Sequence, residues 1–535
     1  MAATRFRSAP LGTPGERPPS RSPGRAAEGR GAGRTAPRDP EIGLPESVLE
    51  ESSYTPAPAP VERDGLSRFD KLARTIIEAG ILTLIVFSPL PAGSVNGWAV
   101  LILEMGTAIL ALLYFLMPQP PRLNSRLAPK LKFPGLAFAV FFLFFIPFQL
   151  LPLPKSLARL ASPRGFELRD AFVPGFDVIR SMRVSLAPSQ TIRDALLLFT
   201  CALAGYLVVR VFVHKRQLNR LMLVIIASGV FQALFGLFQM TRSQPSLLFY
   251  PKTHNMDSVT GTFVNRNHFS GYLELVIPIA IAVIFSRIDL LSMPAMKWRR
   301  RLAALASRGA ALNVVLTIGF LFMALGILKS NSRSGIVLLA LTFLLFAELI
   351  VLTFGRMKLR RSWLLRVLKI GIVLVTLIAL YSGVESMIGR FSIDSLLQDG
   401  RPRYWTTIMR VVKDFPLFGT GLGTFALSYE AYETLGLQGM FDHAHNDYLE
   451  YLSELGIAGF GILFAGIFFI FIDSFLVWFK RRNVEAKSLA MGGLVSIAVI
   501  LLHSLTDFNL HIPATMFLFA VVLGMTWSTV HYRKT

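Results

Sequence analysis

The segment FDHAHNDYLE, residues 441–450, places two histidines and two aspartates within six positions, directly before an apolar stretch. His443 and His445 are two residues apart, so they point to different faces of a helix but can share one face of an extended segment. In the extended form they could bind a divalent metal ion together with Asp442 and Asp447. No third strong ligand stands at a familiar spacing. The sequence therefore predicts no metal site, and a divalent metal remains the alternative.

The same residues fit the start of a helix. Asp447 and Glu450 have the spacing of a capping box, and Asn446 could share the capping role. His445 would then lie just before a helix N-terminus, where backbone N–H groups and the helix dipole favour an anion. A neutral imidazole can also accept a proton from an attacking hydroxyl. These properties make His445 a candidate general base.

Arginines in other segments could supply complementary positive charge. Arg401 and Arg403 lie in GRPRYW, Arg333 lies in KSNSRSG, and Arg266 lies with His268 in VNRNHFSG. Guanidinium groups that converge at a membrane face suit a pyrophosphate, because arginine binds phosphate oxygens in pairs. A functional role is favoured for Arg333 and Arg401. For Arg403 a contact with lipid headgroups or an ion pair within the loop is favoured.

A glycine-rich segment, FGTGLGTF at residues 418–425, resembles a nucleotide-binding loop in composition. It has no preceding βαβ pattern, and it would face away from cytoplasmic nucleotides. The sequence therefore predicts a structural turn that follows a helix ending at Pro416.

The composition indicates a membrane protein. Of 535 residues, 53% are hydrophobic and only 16% are charged, and several apolar runs reach the ~20 residues that cross a bilayer as a helix. The single cysteine, Cys201, excludes an intrachain disulfide. The net charge of +22 does not indicate nucleic acid, because most of the excess lies in short loops between apolar runs.

These basic loops predict the orientation of the chain. They fall on one side, which the positive-inside rule makes cytoplasmic, together with both termini. Three longer segments lie on the opposite side, at residues 154–190, 241–270 and 385–446, and loops of this length often carry function. The predicted spans lie near residues 75–92, 97–117, 133–153, 191–213, 221–240, 271–287, 310–328, 335–354, 367–384, 447–478, 488–506 and 513–531.

The order of four motifs resembles a known family. SRSG, GRPRYW, FPLFGTGLGTF and HAHNDYLEYLSELGIAGF follow one another within about residues 310–475, and GTFVNRNHFSGYLEL resembles an upstream element. This order resembles the O-antigen ligase and Wzy-type polymerase family of bacterial membranes. The resemblance implies a fold related to the GT-C glycosyltransferases and a reaction without a metal ion. It also implies that glycan leaves an undecaprenyl-pyrophosphate carrier at the periplasmic face of the inner membrane.

The resemblance also implies roles for individual residues. Arg333 and Arg401 would bind the pyrophosphate, and His445 would activate the acceptor hydroxyl. We therefore predict these three residues as catalytic, with no metal ion and no cofactor. The predicted substrate-binding residues are Arg266, His268, Arg403, Asn446 and His443.

We expect an all-α polytopic membrane protein of about 12 transmembrane helices, with a large helical periplasmic loop between spans 9 and 10. Residues 1–70, rich in Arg, Pro and Gly, are predicted to be a disordered cytoplasmic tail. The predicted regions that follow are N-terminal transmembrane helices at 71–309, a ligase-like core at 310–475 and C-terminal transmembrane helices at 476–535.

The expected function is glycosyl transfer from a lipid-linked donor to an acceptor glycan (polymerase) or to a lipid A core (ligase). Membrane lipids and chain-length or export proteins are further expected partners, and nucleic acid is not. An O-linked protein oligosaccharyltransferase, a transporter or flippase of lipid-linked glycan, and a scaffold that recruits partners through its tail are the alternatives. A transporter should show two similar halves with charges near the midplane, and here the halves differ in loop length.

Overall fold

A computed structural model describes residues 68–117, 132–287, 308–354, 401–433, 442–481 and 483–531. Regular structure in these ranges is almost entirely helical, apart from a two-residue antiparallel pairing of β1 (Leu153–Pro154) with β2 (Ser181–Met182). The α-helices are α1 Arg68–Phe87, α2 Gly97–Leu116, α3 Lys132–Val140, α4 Ile146–Leu150, α5 Lys155–Ala161, α6 Pro163–Phe172, α7 Pro188–Val211, α8 Lys215–Gln239, α9 Arg266–Arg287, α10 Arg308–Lys329, α11 Arg333–Phe354, α12 Arg401–Asp414, α13 Phe425–Glu430, α14 Asp447–Lys480, α15 Val484–His503 and α16 Pro513–His531.

Nine of the described helices are long and apolar enough to cross a membrane. They are α2, α7, α8, α9, α10, α11, α14, α15 and α16, and each overlaps one predicted span. An all-α polytopic membrane fold is therefore confirmed.

Three of the twelve predicted spans are not among these nine helices. The span predicted at 75–92 is helix α1, which begins at Arg68 inside the predicted tail and carries charged residues through its first three turns, so it is not among the nine. The span predicted at 133–153 is a shorter apolar helical stretch, Pro134–Leu150, which includes a π-helix at Phe141–Phe145. The span at 367–384 lies outside the described residues.

Helices α9, α15 and α16 form the interior of the bundle. Between 83% and 89% of their apolar windows is buried, against 33% to 50% for the other candidate spans. Glycines bring these helices close together: a Cβ atom on Gly492 would lie 2.6 Å from the Cβ of Ala282, and one on Gly493 would lie 2.0 Å from Oγ1 of Thr526. Small residues at a crossing allow this approach, which strengthens packing inside a membrane.

Hydrogen bonds between connecting segments gather them at one end of the helices. These bonds run from Leu186 N to Thr420 O (2.8 Å), from Val259 N to Lys329 O (3.0 Å) and from Asp447 N to Ser504 O (2.9 Å). The connections before α7, α9, α11, α14 and α16 therefore share one end of the bundle.

Helix α14 is broken at Gly456, whose φ of 60° and ψ of −176° are not helical. The break leaves backbone N–H and C=O groups of α14 without helical partners. The glycine-rich segment and the residues just before it supply hydrogen-bond partners for these groups. The Thr420 N–H donates to the carbonyl of Ser453 (3.0 Å), and the Pro416 carbonyl accepts from Ile457 N–H (2.8 Å). Buried backbone groups need such partners, above all in a membrane protein.

The three glycines of this segment have a backbone that other residues rarely adopt. Gly419, Gly421 and Gly423 have φ of +69°, +110° and +73°. A Cβ atom on Gly419 would lie 2.2 Å from the backbone carbon of Glu454. The segment is therefore a structural turn that fills the break in α14.

Candidate functional site

A carboxylate that the sequence analysis missed lies at the end of the bundle where the connecting segments meet. Asp507 follows α15, and its side chain is only 1% exposed. Its Oδ1 lies 3.2 Å from Nδ1 of His445 and 3.7 Å from Nε2 of His268. The backbone N–H of Phe508 donates to Oδ1 (2.9 Å), and Nδ2 of Asn267 donates to Oδ2 (2.5 Å). Asp507 thus joins the starts of α9 and α14.

The surroundings of Asp507 keep it ionised. Burial would raise the pKa of the carboxyl group, but the nearby imidazole of His268 and the hydrogen bond to His445 hold it well below its usual value. An ionised carboxylate can accept an N–H from Nδ1 of His445. Asp507 therefore fixes the orientation of the His445 ring.

His445 itself has a strained backbone. Its φ is +47°, a left-handed value that is uncommon outside glycine and that clusters at functional sites. The ring lies edge-on to Phe508, with centroids 4.8 Å apart, and 6.3 Å from the ring of Tyr404. With 30% of the side chain exposed, the ring is held in place and remains open to a substrate.

Asn446 caps helix α14. Its Oδ1 accepts from the N–H groups of Tyr448 (3.0 Å) and Leu449 (3.1 Å), and its Nδ2 donates to the carbonyl of Leu505 (3.0 Å). The capping box expected from Asp447 and Glu450 is wrong, because Asn446 satisfies these N–H groups and both carboxylates bind elsewhere.

Those two carboxylates form a second acid–imidazole cluster around His511. Nδ1 of His511 lies 2.6 Å from Oδ1 of Asp447, and its Nε2 lies 3.5 Å from Oε1 of Glu450. The same Oε1 lies 2.7 Å from Nδ1 of His443, and Oε2 of Glu450 accepts the N–H of Ala444 (2.7 Å). The cluster fixes the histidine segment onto the start of α14.

His511 is charged in this cluster. Burial would lower its pKa, but the carboxylates of Glu450 and Asp447 raise it to about 10. Between the two clusters lies Phe508, whose ring stacks on that of His443 with centroids 4.1 Å apart. The site therefore contains two acid–imidazole groups separated by one aromatic ring.

A further ionisable pair lies inside the helices. His503 Nδ1 is 2.9 Å from Oε2 of Glu274, and both side chains are at most 1% exposed. Glu274 is about 12 Å along α9 from Arg266 at 1.5 Å per residue. The sequence analysis placed ionisable groups at the membrane surface and overlooked this pair.

Two predicted arginines begin helices beside Asp507. Arg333 is the first residue of α11, and the next residue, Ser334, places its Oγ 2.9 Å from Oγ1 of Thr506. Arg266 is the first residue of α9, adjacent to Asn267. Both arginines are partly buried.

Arg401 and Arg403 lie in the first turn of α12, and their side chains are outside the described residues. The neighbouring aromatic residues show where this turn lies. Nε1 of Trp405 donates to the carbonyl of Ala444 (3.0 Å), and the ring of Tyr404 lies beside that of His445. The start of α12 is therefore next to the histidine segment.

Three helix N-termini thus meet at residues 504–507. α9 contacts this turn through Asn267, α11 through Ser334 and α14 through Asp447. The N-terminal end of a helix carries partial positive charge, so this convergence suits an anionic group. Within the described parts of the chain, no group of three or more His, Cys, Asp or Glu residues is arranged to hold a metal ion.

The missed residues had a signal in the sequence. The connection DFNLHIP, residues 507–513, contains an acid and an imidazole between two apolar spans. The sequence analysis took the orientation from the basic loops and did not consider this connection as part of a site.

Fold and site together define a multi-pass membrane protein with a buried acid–imidazole centre at one end of its helices. The O-antigen ligase family model matches residues 318–464, which confirms the resemblance carried by the motifs. The matched region contains Arg333, α12, the glycine-rich turn and His445, and it indicates a membrane enzyme of the ligase or polymerase type. A search of curated proteins finds no match.

Proposed function

We propose that the protein transfers glycan from an undecaprenyl-pyrophosphate donor to an acceptor hydroxyl. The observation that carries this proposal is the pairing of His445, which lies within the region that the O-antigen ligase family matches, with Asp507 beside three helix N-termini. This arrangement places a base next to a position suited to an anionic leaving group.

In the proposed reaction the acceptor oxygen attacks the anomeric carbon of the donor sugar. A new C–O bond forms, and the bond from that carbon to the pyrophosphate breaks, so its electron pair leaves with undecaprenyl pyrophosphate. Nε2 of His445 takes the hydroxyl proton, and Asp507 stabilises the imidazolium that results. Attack opposite the leaving group inverts the anomeric centre.

Positive charge stabilises the departing pyrophosphate in this scheme. Arg333 and Arg401 act on its oxygens, aided by the helix N-termini, and electrostatic stabilisation of this kind is often the largest part of catalysis. Arg266, Arg403 and His443 line the remainder of the substrate site. The side chains of His268 and Asn446 serve mainly to hold Asp507 and the start of α14.

We place the site at the periplasmic face of the inner membrane, with both termini in the cytoplasm and no cofactor. An acceptor glycan would make the protein a polymerase, and a lipid A core would make it a ligase. Transport is disfavoured because the acid–imidazole centre lies in connections at one helix end rather than at the midplane, where transporters bind. Chain-length and export proteins remain proposed partners.

Purified full-length protein in lipid nanodiscs, supplied with a lipid-linked glycan donor and a matching acceptor, tests the proposal. We expect His445→Ala to lower kcat by about 10²–10⁴-fold. Asp507→Asn should lower kcat on the order of 10²–10⁴-fold with little change in KM, because the imidazole loses its orientation and its ionic partner.

His254→Ala is the matched control, because this histidine is exposed in the connection before α9. Its turnover should equal that of the unmodified protein. Full turnover by folded His445→Ala would overturn the assignment of the base. Arg333→Gln should reduce kcat more than Arg333→Lys, because lysine keeps the charge but not the paired contact.

A further inference from the structure

The connection between α4 and α7 forms a small folded unit of its own. Residues 153–182, here called the platform, contain the β1–β2 pairing, α5 and α6. Its core consists of Ala158, Phe176 and Met182, with Leu153 and Phe166 packed against it. The platform is therefore a structured element, for which neither the reaction nor the family match supplies a role.

The platform turns large apolar side chains away from its own core. Leu160 is 79% exposed, Phe172 is 78% exposed and Val178 is 77% exposed. Leu157, one helical turn before Leu160 on α5, is also exposed. Scattered apolar residues are normal on a surface, but four large ones on a unit of this size leave apolar surface that needs a partner.

The platform carries a net positive charge. Residues 153–182 contain five Lys or Arg and three Asp or Glu. Arg159 precedes Leu160, and Arg180 lies two residues after Val178; both arginines are exposed, as is Asp177. Exposed apolar side chains on a segment with a net positive charge and exposed arginines are typical of segments that lie in the headgroup region of an anionic membrane.

The ends of the platform hold it close to the membrane. α4 ends at Leu150, two residues before β1 begins, and α7 begins at Pro188, with five residues between it and β2. At about 3.3 Å per extended residue, these connections reach no more than about 20 Å. Since α7 is a candidate span and α4 closes an apolar helical stretch, the platform lies within reach of the bilayer surface.

We propose that the platform docks into the anionic leaflet at this end of the bundle. Leu157, Leu160, Phe172 and Val178 enter the outer part of the hydrocarbon, and Arg159 and Arg180 bind lipid phosphates. The occupant is the bilayer, because a unit with exposed apolar side chains, exposed arginines and a net positive charge is tethered at the bilayer surface by two apolar helical segments.

Docking would also set the position of the candidate site. Nε of Arg164, in α6, lies 3.5 Å from Oδ2 of Asp414 at the end of α12 and 3.3 Å from the hydroxyl of Tyr432. The N–H of Leu186, just beyond the platform, donates to Thr420 in the glycine-rich turn. The platform is thus connected to the helix whose other end lies beside His445.

A depth measurement tests the proposal in the full chain. Cys201 is the only cysteine, so a Cys201→Ala background accepts single probes, and Phe172→Cys and Val178→Cys would each carry an environment-sensitive NBD fluorophore. The protein is placed in nanodiscs of phosphatidylcholine with or without phosphatidylglycerol. Nitroxide groups are carried on the lipid headgroup, on a shallow acyl position or on a deep acyl position.

We expect blue-shifted emission at both positions and strongest quenching by the shallow acyl nitroxide. The control probe is Glu430→Cys, an exposed charged position at the end of α13, and it should remain in water and unquenched. Phosphatidylglycerol should increase quenching at Phe172→Cys. In these phosphatidylglycerol nanodiscs, Arg180→Gln should lower the ratio of docked to undocked protein by about fivefold. Arg180→Lys should restore this ratio.

Three results would overturn the proposal. The first is water-like emission without quenching at both platform positions, and the second is equal quenching at Glu430→Cys. The third is a blue shift that appears only when an acceptor glycan or a second protein is added, which would assign the apolar side to that partner.

Discussion

A charged histidine holds the start of helix α14 at the scale of single residues. The His511 imidazole lies between the carboxylates of Asp447 and Glu450, and its pKa is raised to about 10. An unfolded histidine titrates near ~6.5. Because the folded pKa is the higher one, the stabilisation is fully present below pH ~6.5 and is lost as the pH rises through about 10.

His511→Gln should therefore destabilise the protein most at or below neutral pH. Removal of the imidazole takes away the ionic partner of the buried Asp447 and one of the two imidazoles beside Glu450, at a cost of about 3–5 kcal/mol. Unfolding in mixed detergent micelles, followed from pH ~6 to ~10, should show a declining stability for the unmodified chain and a smaller decline for the variant. His254→Gln serves as control, and an unchanged pH slope in His511→Gln would contradict the assignment.

His445 could be predicted from sequence and Asp507 could not. His445 adjoins a helix start and belongs to a motif with recognisable neighbours. Asp507 lies 62 residues further along the chain, and its role depends on how α15 folds back beside α14. Local spacing contains no information about that contact. That Arg333 and Arg401 bind pyrophosphate remains a prediction.

At the scale of elements, the glycine-rich turn and the broken helix depend on each other. Gly419→Ala would place a Cβ atom 2.2 Å from the backbone of Glu454, at a φ of +69°. We expect a loss of about 2–3 kcal/mol or more in stability, because the turn must leave the break in α14. Turnover should fall as well, since the glycine-rich turn is hydrogen-bonded to the section of α14 that begins beside His445.

Gly461→Ala is the matched control within the same helix. A Cβ atom there would meet nothing within 4 Å, and alanine favours a helix over glycine by up to ~1 kcal/mol. Thermal unfolding should therefore show Gly461→Ala at or above the stability of the unmodified chain. Equal stability of the two alanine variants would show that the turn does not support α14.

The long apolar helices were predictable because hydropathy alone selects them. The break in α14 was not, since Gly456 stands in an apolar run that reads as one helix and its backbone partners lie in another segment. The start of α1 was not predictable for a similar reason: the apolar part of that helix was visible, but its first turns carry charged residues that hide the periodicity.

At the scale of the whole molecule, the side of the membrane that carries the site is a prediction. In the Cys201→Ala background, Asp442→Cys should react with a membrane-impermeant maleimide in intact cells, because we place this exposed residue in the periplasm. Arg216→Cys, exposed at the start of α8, should react only after permeabilisation. The reverse pattern would remove the proposed access to a periplasmic lipid-linked donor.

The bend in α14 has a geometric consequence for how a lipid-borne substrate reaches the imidazole. α14 and α15 form an antiparallel pair whose far ends are three residues apart and whose near ends are hydrogen-bonded at Asp447 and Ser504. Yet α14 has 34 residues and α15 has 20, about 51 Å against 30 Å of axial length. The excess length cannot run parallel to α15, so the section before Gly456 must turn sideways.

The section of α14 before Gly456 separates the outer wall of the bundle from His445. Ile457, directly after the break, is 62% exposed, whereas Tyr451 and Leu455 before it are buried. The nine residues of this section span about 14 Å, which is a lateral offset from the outer wall to the middle of the bundle. In the proposed reaction, the lipid carrier would therefore keep its chain in the bilayer along that wall while its headgroup crosses inward over the bent part of α14.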